Sequence, residues 1–411
     1  MMQIITMQAQ PFDQFVAAHP YGHYMKTSMW GLLQEKQGCR CERLGLLKDG
    51  RLQATALVLT KTTPWIRWQY VPWGPCVDYE DEALSQEVME TLIAHARDSR
   101  VDFLRCDPNV LRMEKDIRGN PVEGGENHEN ITAMMKRLGF VHRGYGYAYN
   151  GSWVNRFTLI IDLKPSVAQI VQRFSKARLN SLRRHEVIGV STRTGGRQDL
   201  PALCEFERQL AQIQGFQPHP QAFFEQLLQV FGDHAVLYVT SIDLCRMIAG
   251  IDGEIQSGKY HKDPEALRAK QKEKEKAAAL MQKYGSHPDI AAGLFIRLGH
   301  QSWDLYTYNH KEFNFVKAVD QLHRFAVEDM KNHGVTQYDM CGFSGVTDRS
   351  DPYFGLYDYK RSFGSVYTER IGEFDFNFHP RRKALWQKGD HYRRRLRRKV
   401  MALWYGKKAK K

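Results

Sequence analysis

A strand–helix–strand pattern occurs twice in this sequence, once in each half, and it confines the chain to the α/β class. In the first half, RWQYVPWGP (67–75) reads as a strand, about 80–99 as a helix and VDFLRCDP (101–108) as a short strand closed by Asp-Pro. In the second half, SWDLYTYN (302–309) is strand-like, EFNFVKAVDQLHRFAVEDMKNHG (312–334) helical and VTQYDMCG (335–342) a strand. The second helix rests on Phe315, Val319, Leu322 and Phe325–Ala326 at three-to-four spacing, with Gly334 as its stop. The echo implies two related α/β domains. Element order alone leaves it evenly matched with chance, since any α/β chain offers such an alignment.

The chain has 411 residues, 42% of them hydrophobic, enough to bury a sizeable core in two or three domains. Domain one is expected over residues 1–153 and domain two over 154–380, opening on the strand NRFTLIIDL (155–163). VAQIVQRFSKARLNSLRRHEVIGVSTRTG (167–195) starts as a helix with Val167, Ile170, Val171 and Phe174 on one face and continues basic. A helical hairpin arm is expected over 243–287. Its second helix has Asp263 as N-cap, Pro264 at the first position, Gly285 as stop and few apolar anchors (Leu267, Met281, Tyr284). A charged surface helix packed flat is the other reading of that stretch.

The net charge of +13 is not spread over the chain. Of 59 Lys and Arg and 46 Asp and Glu, residues 381–411 hold 14 bases and one acid, leaving 45 of each in the body. The excess points to a localised anionic partner of the tail. Tyr392, Leu396, Val400 and Leu403 lie on one helical face there, so the tail reads as a basic amphipathic helix on an anionic membrane, ahead of tRNA phosphates or a solvated tail.

Several classes are excluded. No apolar run reaches the roughly 18–20 residues of a membrane span. The N-terminus lacks a basic, apolar and small-residue leader pattern, so a cytoplasmic protein is expected. Seven scattered cysteines without a CxxC pair favour free thiols over disulfides or zinc. P-loop, GxGxxG, HExxH and G-x-S-x-G motifs are absent. Arg143-Gly-Tyr-Gly-Tyr-Ala148 matches the R-x-x-G-x-A phosphate loop of acyl-CoA acetyltransferases, but a strand-like segment follows it where a helix N-terminus is required.

What remains lies at the ends of the repeated strands. Arg105-Cys-Asp107-Pro108 closes one, and Tyr338-Asp-Met-Cys-Gly342 closes its counterpart and leads into GFSGVTDRSDPYFGLYDYKRSFG. In GLYDYKRSFGS (355–365), read as a strand, Lys360 and Arg361 point to opposite faces, one of them toward Tyr357, Tyr359 and Phe363. On local pattern alone Lys360 is a snorkelling cation over an aromatic ring.

The ordered set TSMWG, LRCDP, RLGF, SKARLNSLRR, YDMCGFSG, YFGLYDYKRSFG and ERIGEFDF resembles the Fem family of peptidoglycan interpeptide-bridge aminoacyltransferases over about residues 20–378. The inserted arm resembles the coiled-coil arm of members that act on the lipid-linked precursor, though shorter. The resemblance implies two tandem acetyltransferase-like (GNAT) domains. It implies transfer of an amino acid from aminoacyl-tRNA to the stem-peptide amine of a peptidoglycan precursor, lipid II or UDP-MurNAc-peptide, without a cofactor or metal.

Carried onto this sequence, the resemblance makes Lys360 the cation beside the developing oxyanion and Asp107 the group that orients the amine or takes its proton. Substrate contacts fall on Tyr306, Arg105 and Phe363. The family's phosphate-binding Lys corresponds to Gln34, with Lys36 two residues on, and its Arg-x-x-x-Tyr pair to His219 and Phe223. An acyl-CoA-dependent N-acyltransferase and a non-catalytic tRNA- or precursor-binding homologue are the alternatives.

Overall fold

The structure, a computed structural model, describes residues 2–147 and 153–389. Its strands form two seven-stranded sheets. In chain order they are β1 (Gln3–Thr6), β2 (Arg40–Lys48), β3 (Arg51–Thr62), β4 (Arg67–Val71), β5 (Phe103–Cys106), β6 (Val141–His142) and β7 (Phe157–Asp162). There follow β8 (Val190–Gly195), β9 (Ala235–Ile242), β10 (Asp289–Leu298), β11 (Gln301–Asn309), β12 (Gln337–Gly342), β13 (Val366–Glu369) and β14 (Phe374–Asn377). The sheets run β1-β2-β3-β4-β5-β14-β6 and β8-β9-β10-β11-β12-β7-β13.

Position by position the two sheets are the same. Each has one parallel pair, β4–β5 and β11–β12, in its fourth and fifth places. A parallel pair needs a crossover, and the helices Glu82–Asp98 and Ala318–Asn332 supply it. The repeated pattern of the sequence is therefore a repeated unit, and the chain is a tandem of two like α/β units.

The sixth place of each sheet is filled out of chain order. β7 follows β6 in the chain yet lies antiparallel between β12 and β13. β14 follows β13 yet lies antiparallel between β5 and β6. The expected second domain, 154–380, therefore needs correcting, because Phe374–Asn377 belongs to the first sheet. RIGEFDF does hold a strand, but its partners lie far away in the sequence. Arg105 on β5 draws it there: its Nε and Nη2 donate to the Asp375 carboxylate at 2.7 and 3.0 Å. Phe12, Leu33 and Leu59 of the first unit also share a core with Phe224, Leu294 and Trp303 of the second.

Two expected helices are broken. Residues 167–195 hold the helices Val167–Gln172 and Lys176–Ile188 and then β8, with Gly189 (φ 71°) ending the second. The first opens on a complete capping box, Ser166 with Gln169. Ser166→Ala is expected to cost about 1 kcal/mol, read as a lowered urea midpoint with unchanged slope. Residues 312–334 begin as a 3₁₀ turn, Lys311–Val316, and Lys317 (φ 60°) separates it from Ala318–Asn332.

The insertion is the helix pair Leu244–Gln256 and Pro264–Tyr284. Asp263 accepts from the Ala266 N–H at 2.9 Å, as its N-cap role requires. Leu267, Met281 and Tyr284 are only half-buried, and Ala277 and Leu280, passed over in the sequence, join Met247 and Ile251 in the core. Among the described residues no helix is long and apolar enough to cross a membrane. Residues 380–389 are helical, and the tail pattern from Tyr392 to Leu403 lies outside the described residues.

Candidate active site

β11 and β12 pair in parallel only from Gln301–Gln337 to Trp303–Asp339. Beyond that they part, β11 staying with β10 and β12 turning to β7 at Gly342–Thr158. The register of β11 against β10 slips at Leu294/Phe295, a bulge that re-aims side chains. The gap is a cavity of about 740 Å³ whose lining includes Asp304, Tyr306, Lys317, Cys341, Lys360 and Asn155. Asn155 fixes one edge: a Cβ on Gly342 would meet its side chain at 1.9 Å, so only glycine fits there.

Lys360 sits in a helix, Phe354–Arg361, where a strand was expected. The aromatic residues of that stretch recur at helical spacing, with Tyr357 inward and Asp358 outward. The division of the two cations survives on different grounds. Lys360 is buried, and its Nζ donates to the carbonyls of Cys341 and Gly342 at 3.2 and 2.8 Å. Two of its three N–H groups are thus used. Arg361 turns outward to Asp358 at 2.6 Å. Burial lowers the Lys360 pKa, opposed by Cys341, Asp304 and Asp339. Cys341 itself has φ 61°, a left-handed conformation costly for a residue other than glycine. Burial raises its thiol well above the ordinary range, so it is not a ready thiolate.

Two carboxylates line this cavity, Asp320 and Asp304, and only Asp304 is not paired with an arginine. Burial pushes the Asp304 pKa up to about 6, against the hydrogen bond from Thr307 and the charge of Lys360. Thr307 Oγ1 donates to Oδ1 at 2.5 Å, while Oδ2 lies 4.0 Å from His323 Nε2. His323 bonds Tyr338 Oη through Nδ1 at 2.7 Å, and burial first, then Lys360, lowers its pKa to about 3, so it is neutral. Arg178 braces the far wall: it donates to Asp320 and Ser362 at 2.6 and 2.8 Å and lies over the Tyr359 ring.

The other expected site residues divide. Tyr306 lines the cavity, and burial raises its hydroxyl to about 12. His219 packs edge-on against Tyr306 and stacks on Phe223, its Nδ1 2.7 Å from Glu207 Oε1, so it supports the wall from behind. Gln34 and Lys36 lie on the helix Ser28–Glu35 and its C-cap, half-buried and exposed, and line none of the described cavities.

Three of the expected site residues lie apart from this cavity. Phe363 is fully buried among Phe174, His323 and Tyr359, below the cavity. Arg105 is buried and held by Asp375 and Glu373, with Trp153 over its guanidinium, so it is shut away from a substrate. Asp107 lies in the matching place of the first sheet, where the space is only about 10 Å³. Its oxygens accept from Tyr70 Oη at 2.8 Å and the Trp73 N–H at 2.6 Å. Burial, then Glu373, raises its pKa far above the usual carboxylate range. Both of its oxygens are already engaged as acceptors, and Asn155 lines both spaces between it and Lys360.

Asp304, Asn155, Arg178 and Lys317 were passed over. Asp304 had a signal: in SWDLYTYN it is the acid two residues before Tyr306, on the same strand face. The remaining three are brought in by pairings between distant segments.

Comparison with known proteins agrees with this picture. The sequence model of the FemAB family matches residues 7–387. The chain is 23% identical over 402 residues to a lipid II:glycine glycyltransferase of Staphylococcus haemolyticus, covering 91% of this chain and 93% of that protein. It is 22% identical over 406 residues to the protein of the same description in Staphylococcus aureus strain USA300, with the same coverage. The crystal structure of FemX superposes with a TM-score of 0.77 at 20% identity, over 94% of this chain and 99% of that one.

Proposed function

The chain belongs to the FemAB family, and from that premise we propose that it is an aminoacyltransferase of peptidoglycan bridge formation. It moves an amino acid from an aminoacyl-tRNA to the amine of a lipid II-type or nucleotide-linked precursor. The supporting observation is the cavity between β11 and β12, which holds the buried Lys360 and two acidic residues, Asp320 paired with Arg178 and Asp304 left without a cationic hydrogen-bond partner and with its pKa pushed up to about 6 by burial. An aminoacyl ester is already activated, so its aminolysis needs a deprotonated amine held against the carbonyl and a cation beside the oxyanion. The amine attacks the ester carbon as a C–N bond forms, and its proton passes to Asp304. Lys360 stabilises the tetrahedral oxyanion. The C–O bond then breaks, and the ribose oxygen leaves as a hydroxyl by taking the amine's proton back from Asp304, which returns to its carboxylate.

This reading requires no covalent nucleophile, because the ester is already activated. The acyl-CoA alternative loses its motif, because Arg143 is held by Glu373 and Asp375 at 3.2 and 3.3 Å instead of standing free for a pyrophosphate. The test is incubation with a panel of charged tRNAs and either lipid II or the soluble UDP-MurNAc-peptide, followed by mass measurement of the precursor. The expected result is a mass gain of one or more aminoacyl residues with at least one tRNA. No gain with any tRNA, or a gain supported by acyl-CoA instead, would overturn it.

A further inference from the structure

The second large hollow lies far from this chemistry in character. About 800 Å³ in volume, it is lined by Thr63, Pro64, Trp65, Leu385 and Trp386, with Arg382 at its side. Two large apolar side chains stand out of it: Trp65 is 79% exposed and Leu385 71% exposed. Soluble surfaces carry single exposed apolar residues routinely, but a tryptophan and a leucine flanking one hollow are a patch.

The patch stands on a firm base. Trp65 is at the tip of the turn joining β3 to β4, closed by Thr63 N–H to Ile66 O at 2.9 Å. Across from it, the helix at 380–389 is pinned by Trp386 on Trp68 and Phe103, with ring centroids 5.1 and 5.9 Å apart. Lys383 donates to Asp375 at 2.7 Å, and Arg382 pairs with Asp102 at 2.9 Å and donates to the Trp65 carbonyl at 3.1 Å. The exposed tips are therefore held by an ordered floor.

Charge supplies the identity of the occupant. Arg381, Arg382 and Lys388 sit on the same helix and are exposed. The chain leaves this hollow at residue 389 and continues for 22 residues that hold ten Lys and Arg against one acid, Asp390. A tryptophan and an aliphatic side chain at the tip with a ring of cations around them is the arrangement of a monotopic interfacial contact, with rings at headgroup depth and cations on lipid phosphates.

We infer that the Trp65 turn and the helix beside it form a membrane-interface site whose occupant is an anionic bilayer surface, Trp65 and Leu385 entering it and the cations of that helix facing its phosphates. This goes beyond the transferase reading and does not depend on it. The exposed aliphatic Leu385 favours acyl chains over nucleic acid, whose bases are held by stacking rings and a basic groove and make no use of a leucine.

The test uses the full chain with vesicles of phosphatidylcholine alone and with about one-third phosphatidylglycerol, read by co-sedimentation and by quenching of tryptophan emission with bromine-labelled acyl chains. Binding is expected on the anionic vesicles only and to weaken with salt. Trp65→Ala and Leu385→Gln are each expected to weaken it about tenfold, and Trp65→Phe to remove much of the quenching. Unchanged thermal melting of the variants without lipid excludes misfolding. Unchanged vesicle binding by both variants would overturn the site, leaving the cations alone responsible. Quenching unaffected by Trp65→Phe, a Trp65 shielded by the chain's own end before lipid is added, or weakened binding to tRNA in place of vesicles would each overturn it as well.

Discussion

Replacing Lys360 by alanine is expected to lower aminoacyl transfer about a hundred- to a thousandfold, the range for removal of one preorganised oxyanion donor. The argument rests on position. Lys360 is buried, reaches across the end of β12 to two consecutive carbonyls, and lines the cavity that also holds Asp304. A donor fixed in this way does not reorganise as charge develops, which makes it worth more than a surface lysine. The same two bonds make alanine structurally risky, since it leaves the carbonyls of Cys341 and Gly342 unpaired. Lys360→Arg and Lys360→Met therefore accompany it. Arginine keeps the charge but sets its donors in a planar fork, so it is expected to fold and recover only part of the rate. Methionine keeps the bulk and is expected to match alanine. The transfer rate is measured at saturating precursor, alongside the melting temperature. A folded Lys360→Met enzyme with near-native rate would show that the lysine is only a brace.

The fold was legible where the signal is local, and illegible where pairing is distant. The two crossover units follow from hydrophobic spacing and from stops such as Gly334, and they reappear as the parallel pairs β4–β5 and β11–β12. Nothing within RIGEFDF says that its final residues cross to the other sheet. That information resides in Arg105, which was read as a substrate contact and is in fact the counter-charge of Asp375. The lysine of YDYKRSFG was found through family resemblance, with the wrong local geometry: a helix, not a strand, separates Lys360 from Arg361. Asp107 shows the opposite error. It occupies the matching place in a duplicated unit, but the first copy is closed, its carboxylate spent on Tyr70 and Trp73, and the open copy is the second.

That asymmetry leads to the second large effect. Asp304→Asn is expected to reduce transfer about a hundred- to ten-thousandfold, the span of general-base contributions. It is also expected to remove a limb of the pH profile. The Asp304 pKa is raised by burial to about 6, so the wild-type rate should climb through that pH and level off above it, where the carboxylate can accept the amine proton. In Asp304→Asn that limb disappears, while one belonging to the incoming amine at higher pH stays. Stability should move the other way. A carboxyl whose folded pKa lies above its unfolded one is favoured protonated in the fold, so its stabilising effect is present at low pH and is lost as pH rises through about 6. Asparagine carries no such penalty, so the variant should be at least as stable as wild type above that pH and should converge on it below. A slow but well-folded enzyme at pH 8 separates lost chemistry from lost structure. Asp107→Asn, tested in parallel, should behave differently: Asp107 lies outside the open cavity with its oxygens engaged by Tyr70 and Trp73, so its pH profile should keep the limb near 6. If instead the limb vanished with Asp107→Asn and survived Asp304→Asn, the proton acceptor would lie in the first unit and the open cavity would serve binding alone.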